Sequence, residues 1–315
     1  MGKIQKRTRH LTEYGFAGAP PHRSASRYAR EREVRIMNNY RVCLFCFILI
    51  VLPYAVFGQD TQTFPLDQIT KSVVYLEGEK PKMGMINGTL HEMGSRTPGS
   101  NEFQLLTERV TGTGFFVRND DNLFLATAGH VARSLALRVR LISSDTSGSS
   151  KSYPLDQEVR WIFSQKADVA VLRLNDPRFI SDFLRSALDI KFLADTETSP
   201  APGLPLVVIG FPLGLGVQNK FSPLRRETSA SSGLIDLPRA DTRQIATFFV
   251  LQDPSIGGYS GAPVFAILAK KWGGIRMIGF NATSCTGVIH ATMSDNTGGK
   301  LGLVTPSKYV YELIK

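Results

Sequence analysis

From residue 59 onward the chain is a succession of short apolar or alternating runs, each soon cut off by Gly, Pro, Asn or Asp, with hardly any long helical period. The runs are "SVVYLEG" (72–78), "GTGFFVRN" (112–119), "LFLATA" (123–128), "LRVRLIS" (137–143), "DVAVLRL" (168–174), "LPLVVIGF" (204–211), "TFFVLQ" (247–252), "APVFAIL" (262–268), "RMIGFNA" (276–282) and "LGLVT" (301–305). A parallel sheet would need helical crossovers between such strands, and the intervening segments lack them. The pattern therefore predicts an all-β fold, a barrel or a sandwich. Two polar stretches, 79–110 and 283–299, read as surface insertions. The chain closes with "TPSKYVYELIK", which predicts a short helix with Thr305 as N-cap, Pro306 at its first position, and Tyr309, Val310 and Leu313 on one side.

The formal charge of +10 raises the question of nucleic acid, and its distribution answers it. Residues 1–36 hold nine Lys/Arg against three acids, so the remainder is nearly balanced and a nucleic-acid partner is not expected. Residues 42–57, "VCLFCFILIVLPYAVF", form a sixteen-residue run without a charge, short for a membrane span and suited to a secretory leader. The expected organisation is a basic segment 1–36 that translation from Met37 would omit, a signal peptide 37–58 cleaved before Gln59, and one domain over 59–315. The alternative keeps 42–57 as an uncleaved inner-membrane anchor with the basic segment inside. Cys43 and Cys46 would leave with the leader, so Cys285 stays alone and unpaired, which suits a bacterial periplasmic or secreted protein.

Three residues stand out by their settings. Ser260 lies in "GGYSGAPVF", where glycines open the backbone around a hydroxyl. His130 ends the run "LFLATAGHVA" behind small residues, and Asp168 heads an apolar strand, where a carboxylate needs a partner. A serine hydroxyl becomes a nucleophile when a neutral imidazole takes its proton, and the imidazole works best when a buried carboxylate holds its tautomer. Gly258 would let the N–H groups of Gly258 and Ser260 point together at a developing oxyanion. Each of the three also has a plainer reading, as a packed histidine, a turn aspartate and a turn serine, and only their combination outweighs it.

In the order His130, Asp168, Ser260 the set follows the chymotrypsin-type triad. The segments "GTGFFV", "LATAGHVA", "DVAVLRL", "VVIGFPLGLG", "TSASSGLID" and "GGYSGAPVF" resemble the protease domain of trypsin-like serine peptidases, particularly the high-temperature-requirement branch of bacterial envelopes. The resemblance runs from about Ile69 to about Leu313. It implies two antiparallel six-stranded β-barrels and a short C-terminal helix, with His130 as general base, Asp168 as its orienter, Ser260 as nucleophile, and Gly258 with Ser260 as oxyanion hole. The implied activity is endopeptidase hydrolysis of protein or peptide substrates through an acyl-enzyme, without a cofactor or metal. Tyr259 stands where many digestive relatives carry the Asp that a new N-terminus pairs with, which argues against zymogen activation of that kind. The PDZ module of the high-temperature-requirement proteins is not expected here, since the sequence ends at Lys315.

The primary pocket is expected from the residues before Ser260, from "GFN" (279–281) and from "LGLV" (301–304), with Pro254 in the floor slot. A small or apolar P1 side chain follows, with cleavage after Lys or Arg as the rival if Asp253 faces the pocket. Two other readings compete with the peptidase. "GYSGA" resembles an α/β-hydrolase elbow, but His290 and Asp295 follow it in the wrong order and the helices are missing. A catalytically silent trypsin-like barrel could instead serve as an envelope scaffold. Cys285, His290 and Asp295 do not have a zinc spacing.

Overall fold

The computed structural model describes residues 64–315 except 87–88, 97–102, 136, 146, 156–159, 240, 273–274 and 295–299. The basic segment 1–36 and the leader 37–58 lie outside the described residues. Twelve strands carry the architecture. The first six are Val73–Pro81 (β1), Thr107–Asn119 (β2), Asn122–Ala128 (β3), Leu137–Ser144 (β4), Ser150–Pro154 (β5) and Val169–Leu174 (β6). The second six are Pro205–Gly210 (β7), Leu224–Ser229 (β8), Ile245–Leu251 (β9), Pro263–Trp272 (β10), Ile275–Ser294 (β11) and Lys300–Pro306 (β12).

The first set forms one antiparallel sheet in the order β5-β4-β1-β2-β3-β6, the second another in the order β8-β7-β10-β11-β12-β9. Numbered within its own six, each sheet follows the same circular order, 1-2-3-6-5-4. The second closes on itself through a bridge between Ala230 and Leu251. Each six gains two short strands at its margins: Ile162–Phe163 and Leu188–Asp189 on the first, Phe64–Pro65 and Ile235–Pro238 on the second. The fold is thus all-β with the two expected six-stranded sets.

Alternation along the strands sends one face of each sheet inward. Val74, Leu76, Phe116, Leu123, Leu125 and Leu172 fill the first sheet, while Leu206, Val208, Phe249, Leu251, Val264 and Val304 fill the second. The largest cluster lies between the sheets, where Phe115, Val117 and Val169 of the first meet Val207, Phe265 and Val288 of the second. Tyr309, Val310 and Ile314 of the C-terminal helix Lys308–Ile314 pack into the same cluster. Burial of apolar area on this scale, at roughly 25 cal/mol per Å², fixes how the sheets meet and so fixes whatever spans their seam.

Several expectations change. Most of the described part of the polar stretch 79–110 is strand: β1 runs on to Pro81, hairpin strands pair over Met83–Ile86 with Thr89–Glu92 and over Gly94–Arg96 with Phe103–Leu105, and β2 begins at Thr107. Backbone bonds between neighbours make this ribbon, so its polar side chains did not announce it. Residues 283–294, also expected as insertion, belong to β11. The closing helix starts later than expected, because Thr305 and Pro306 still pair in β12 and Ser307 spends its hydroxyl on the Cys285 carbonyl at 2.8 Å rather than on a cap.

Phe116 has no solvent exposure and stacks on Phe183 at 4.5 Å between ring centroids. Phe116→Ala should cost about 3–5 kcal/mol of stability, a value typical of large-to-small core substitutions. Chemical denaturation will measure it, and a loss under about 1 kcal/mol would contradict this packing.

Candidate active site

Asp168 stands just ahead of β6 and its side chain is wholly buried. A lone carboxylate so placed would cost several kcal/mol, and the fold surrounds it with donors. Its Oδ1 accepts from the backbone N–H of His130 at 2.8 Å, from Arg133 Nη2 at 3.1 Å and from Arg239 Nη2 at 3.2 Å. Its Oδ2 lies 2.6 Å from Nδ1 of His130 and 2.6 Å from Nδ1 of His290. Asp241 accepts from both guanidiniums in turn, so two arginines and two carboxylates offset each other's charge.

The short helix Gly129–Ser134 follows β3 and delivers His130. Asp168 closes the helix start, its backbone oxygen accepting from Gly129 N at 3.1 Å while its side chain takes the next N–H. A Cβ at position 129 would sit 2.9 Å from Asp168 Oδ1, which explains the glycine before the histidine. For Oδ2 to accept from both rings, each must carry its proton on Nδ1. The other nitrogen of His130 is then the basic one, on a side chain 30% exposed.

Ser260 lies in the loop between β9 and β10. Its Oγ donates to the His290 carbonyl at 3.4 Å, and among the described residues no hydrogen bond joins it to His130. The loop is held from the first sheet: Thr113 Oγ1 donates to Gly258 O at 2.7 Å and accepts from Phe211 N at 3.1 Å, while Thr113 N donates to Ser260 O at 2.9 Å. Gly258 has φ 96° and its missing Cβ would lie 2.3 Å from Phe211 O, so no other residue fits. Leu213 N binds Gly257 O at 2.7 Å, and in a trans peptide this turns the N–H of Gly258 the opposite way. Among the described residues neither that N–H nor the one of Ser260 has a protein acceptor.

The cavity beside this loop is lined by Arg226, Asp253, Pro254, Ser255, Tyr259 and Ile289 among others. Asp253 does face it, and Arg226 accompanies it: Arg226 Nη1 donates to Pro254 O at 2.6 Å and Nη2 lies 3.8 Å from Asp253 Oδ1. Ile289 contributes to the cavity wall and Thr292 Oγ1 donates to the backbone oxygen of the lining residue Ser255 at 2.8 Å, while the side chains of 279–281, expected as a wall, lie outside the described residues. The segment 301–304 does approach, since a Cβ on Gly302 would come within 2.7 Å of Asp253 O.

Sequence reasoning named His130, Asp168, Ser260 and Gly258, and missed His290, Arg133, Arg239 and Asp241. His290 was placed in a polar loop, where its strand position was hidden by the Thr and Ser around it. The alternation "VIHATM" carried the available signal. The donor atoms of His130, Asp168 and His290 all lie within 4.8 Å of one another, a spacing that invites a metal. Two ligands of one tetrahedral zinc, with bonds of about 2.0 Å, stand roughly 3.3 Å apart. At 2.6 Å these nitrogens and oxygen are set to share protons, and an ion would have to spread them. Cys285, further back on β11, is fully buried and its thiol is pushed up to about 12 by that burial, which suits a packed side chain rather than a ligand.

Burial pushes the Asp168 carboxyl up, but the hydrogen bonds from His130 and His290 and the charges of those rings outweigh it, leaving the group well below the ordinary carboxylate range. A lowered folded-state pKa stabilises the fold above the ordinary value near 3.8 and is lost as pH falls beneath it, because the unfolded chain then takes up a proton that the folded chain refuses. Wild type should therefore lose its stability advantage over Asp168→Asn as pH drops from about 5 toward 2. Urea titrations at several pH values read this, and a gap that widens in acid would contradict the bonding around Asp168.

A profile of trypsin-like peptidase domains matches residues 112–275, a stretch that contains all three candidate residues. Among solved structures the chain is similar to human heparin-binding protein, at 11% identity over 80% of this chain and 93% of that one with a TM-score of 0.45. It is also similar to Deg5, at 17% identity over 78% of this chain and 88% of that one with a TM-score of 0.43. No curated protein sequence matches it. With more than half of its length matched by the family profile on a fold of two antiparallel six-stranded sets, this chain belongs to the trypsin-like peptidase domain family.

Proposed function

We propose that this chain is a serine endopeptidase that hydrolyses peptide bonds through an acyl-enzyme. The observation that carries the reading is the 2.6 Å contact between His130 Nδ1 and Asp168 Oδ2, set beside a serine loop in which the amides of Gly258 and Ser260 have no acceptor among the described residues. Ser260 Oγ attacks the scissile carbonyl as the outer nitrogen of His130 takes its proton, and Asp168 stabilises the imidazolium. His130 then returns that proton to the leaving amine, and water repeats the sequence to release the acyl group. The N–H groups of Gly258 and Ser260 receive the oxyanion, an interaction worth about 2.7–4 kcal/mol per donor in comparable sites. In the resting site Ser260 Oγ donates to the His290 carbonyl at 3.4 Å, a long bond that it must give up to turn its proton toward His130 when substrate is bound. The alternative, a silent scaffold, lacks a reason for so much buried polar machinery around Asp168.

The same proposal assigns 59–315 to the peptidase domain and 37–58 to a signal peptide, with action in the bacterial envelope or outside the cell. A fluorophosphonate probe should label the wild-type chain, and Ser260→Ala should lose the label. A well-folded wild type that stays unlabelled would return the scaffold reading.

Arg226 beside Asp253 supports a small uncharged P1 residue, because an incoming Lys or Arg would meet a guanidinium already paired with the carboxylate. Cleavage of a peptide library should favour small side chains at P1. Strong selection for Arg or Lys would instead give Asp253 the dominant role.

A further inference from the structure

A textureless pair of roles, one base and one orienter, leaves His290 unused, although its ring touches the same carboxylate oxygen as His130. Resting on the peptidase reading, we infer that His290 is a positioning residue whose Nδ1–H, supplied by the second sheet, holds the Asp168 carboxylate in the orientation that aligns His130. Four observations converge on it.

The register of β11 against β12 pairs Ile289 with Val304 and Ala291 with Leu303, so His290 is an extra residue at a bulge. Bulges re-aim side chains, and here Ile289 lines the cavity while His290 reaches across the seam to Asp168. The ring is 1% exposed and stacks on Phe248 at 4.9 Å and 23°, which restricts its rotation. It meets the His130 ring edge-on, with 5.7 Å between centroids and 80° between planes. The two N–H groups thus approach Oδ2 along different directions. Finally, the backbone oxygen of His290 accepts from Ser260 Oγ, so one residue holds the carboxylate with its ring and the serine with its carbonyl.

No proton need leave His290 in this role. Its ring donates its Nδ1–H, and its removal would leave Oδ2 with His130 as its one donor while Oδ1 keeps its bonds from the His130 amide, Arg133 and Arg239, so the carboxylate would be held on one side only. Asn places its amide nitrogen where Nδ1 stands in histidine, so it can keep the hydrogen bond that Ala cannot.

The test compares fluorophosphonate inactivation of the full-length wild type, His290→Ala and His290→Asn. His290→Ala should lower kinact by about 10- to 100-fold with KI little changed, the effect of one hydrogen bond to a charged group. His290→Asn should recover most of that loss. An Ala variant as fast as wild type, or folded Asn and Ala variants equally slow, would overturn the role. Nitrogen-15 NMR of the histidines supplies a second readout that needs neither activity nor the Ala variant's folding. Both His130 and His290 should carry their proton on Nδ1, whereas an unprotonated His290 Nδ1 would overturn the inference. If the wild type does not react with the probe, the peptidase reading fails on its own, and the tautomer of His290 still decides whether it holds Asp168.

Discussion

A wholly buried carboxylate must be compensated, and the way Asp168 is compensated organises the site. Its five hydrogen-bond donors come from both halves of the molecule: His130 (backbone and ring) and Arg133 from the first sheet's side of the seam, and His290 and Arg239 from the second. Neither sheet alone could satisfy this group. Correct docking of the two sheets and correct orientation of the His130 ring are thus one condition.

The serine loop depends on the same seam. Thr113, on the first sheet, donates its hydroxyl to Gly258 and its amide to Ser260, both on the second. This clamp and the contact of Gly257 with Leu213 leave the amides of Gly258 and Ser260 without acceptors among the described residues. The apolar cluster between the sheets sets the distance, and the polar contacts at its edge set the angles. For the proposed reaction such rigidity would keep the cost of reorganising the donors low.

Much of this was legible beforehand. Strands such as Val169–Leu174 and Pro205–Gly210 announce themselves because their apolar residues bury on formation. Leu224–Ser229, "LRRETS", does not, because its arginines and glutamate hide a strand that only its pairing with β7 reveals. The same masking turned 283–294 into an apparent loop and took His290 with it. A bulge compounds the difficulty, since the period of two that would assign each side chain a face breaks at the residue that matters.

The sequence by itself determined the all-β class, the main strands, and the identity and order of His130, Asp168 and Ser260, because burial periodicity and glycine-framed turns are local properties of the chain. The tertiary structure alone decided which donors reach Asp168, that Arg226 shares a cavity with Asp253, and that His290 joins the site. Those contacts span from 27 to 122 positions along the chain, and only the packing of one sheet on the other, or of one strand end against its neighbour, brings such groups together.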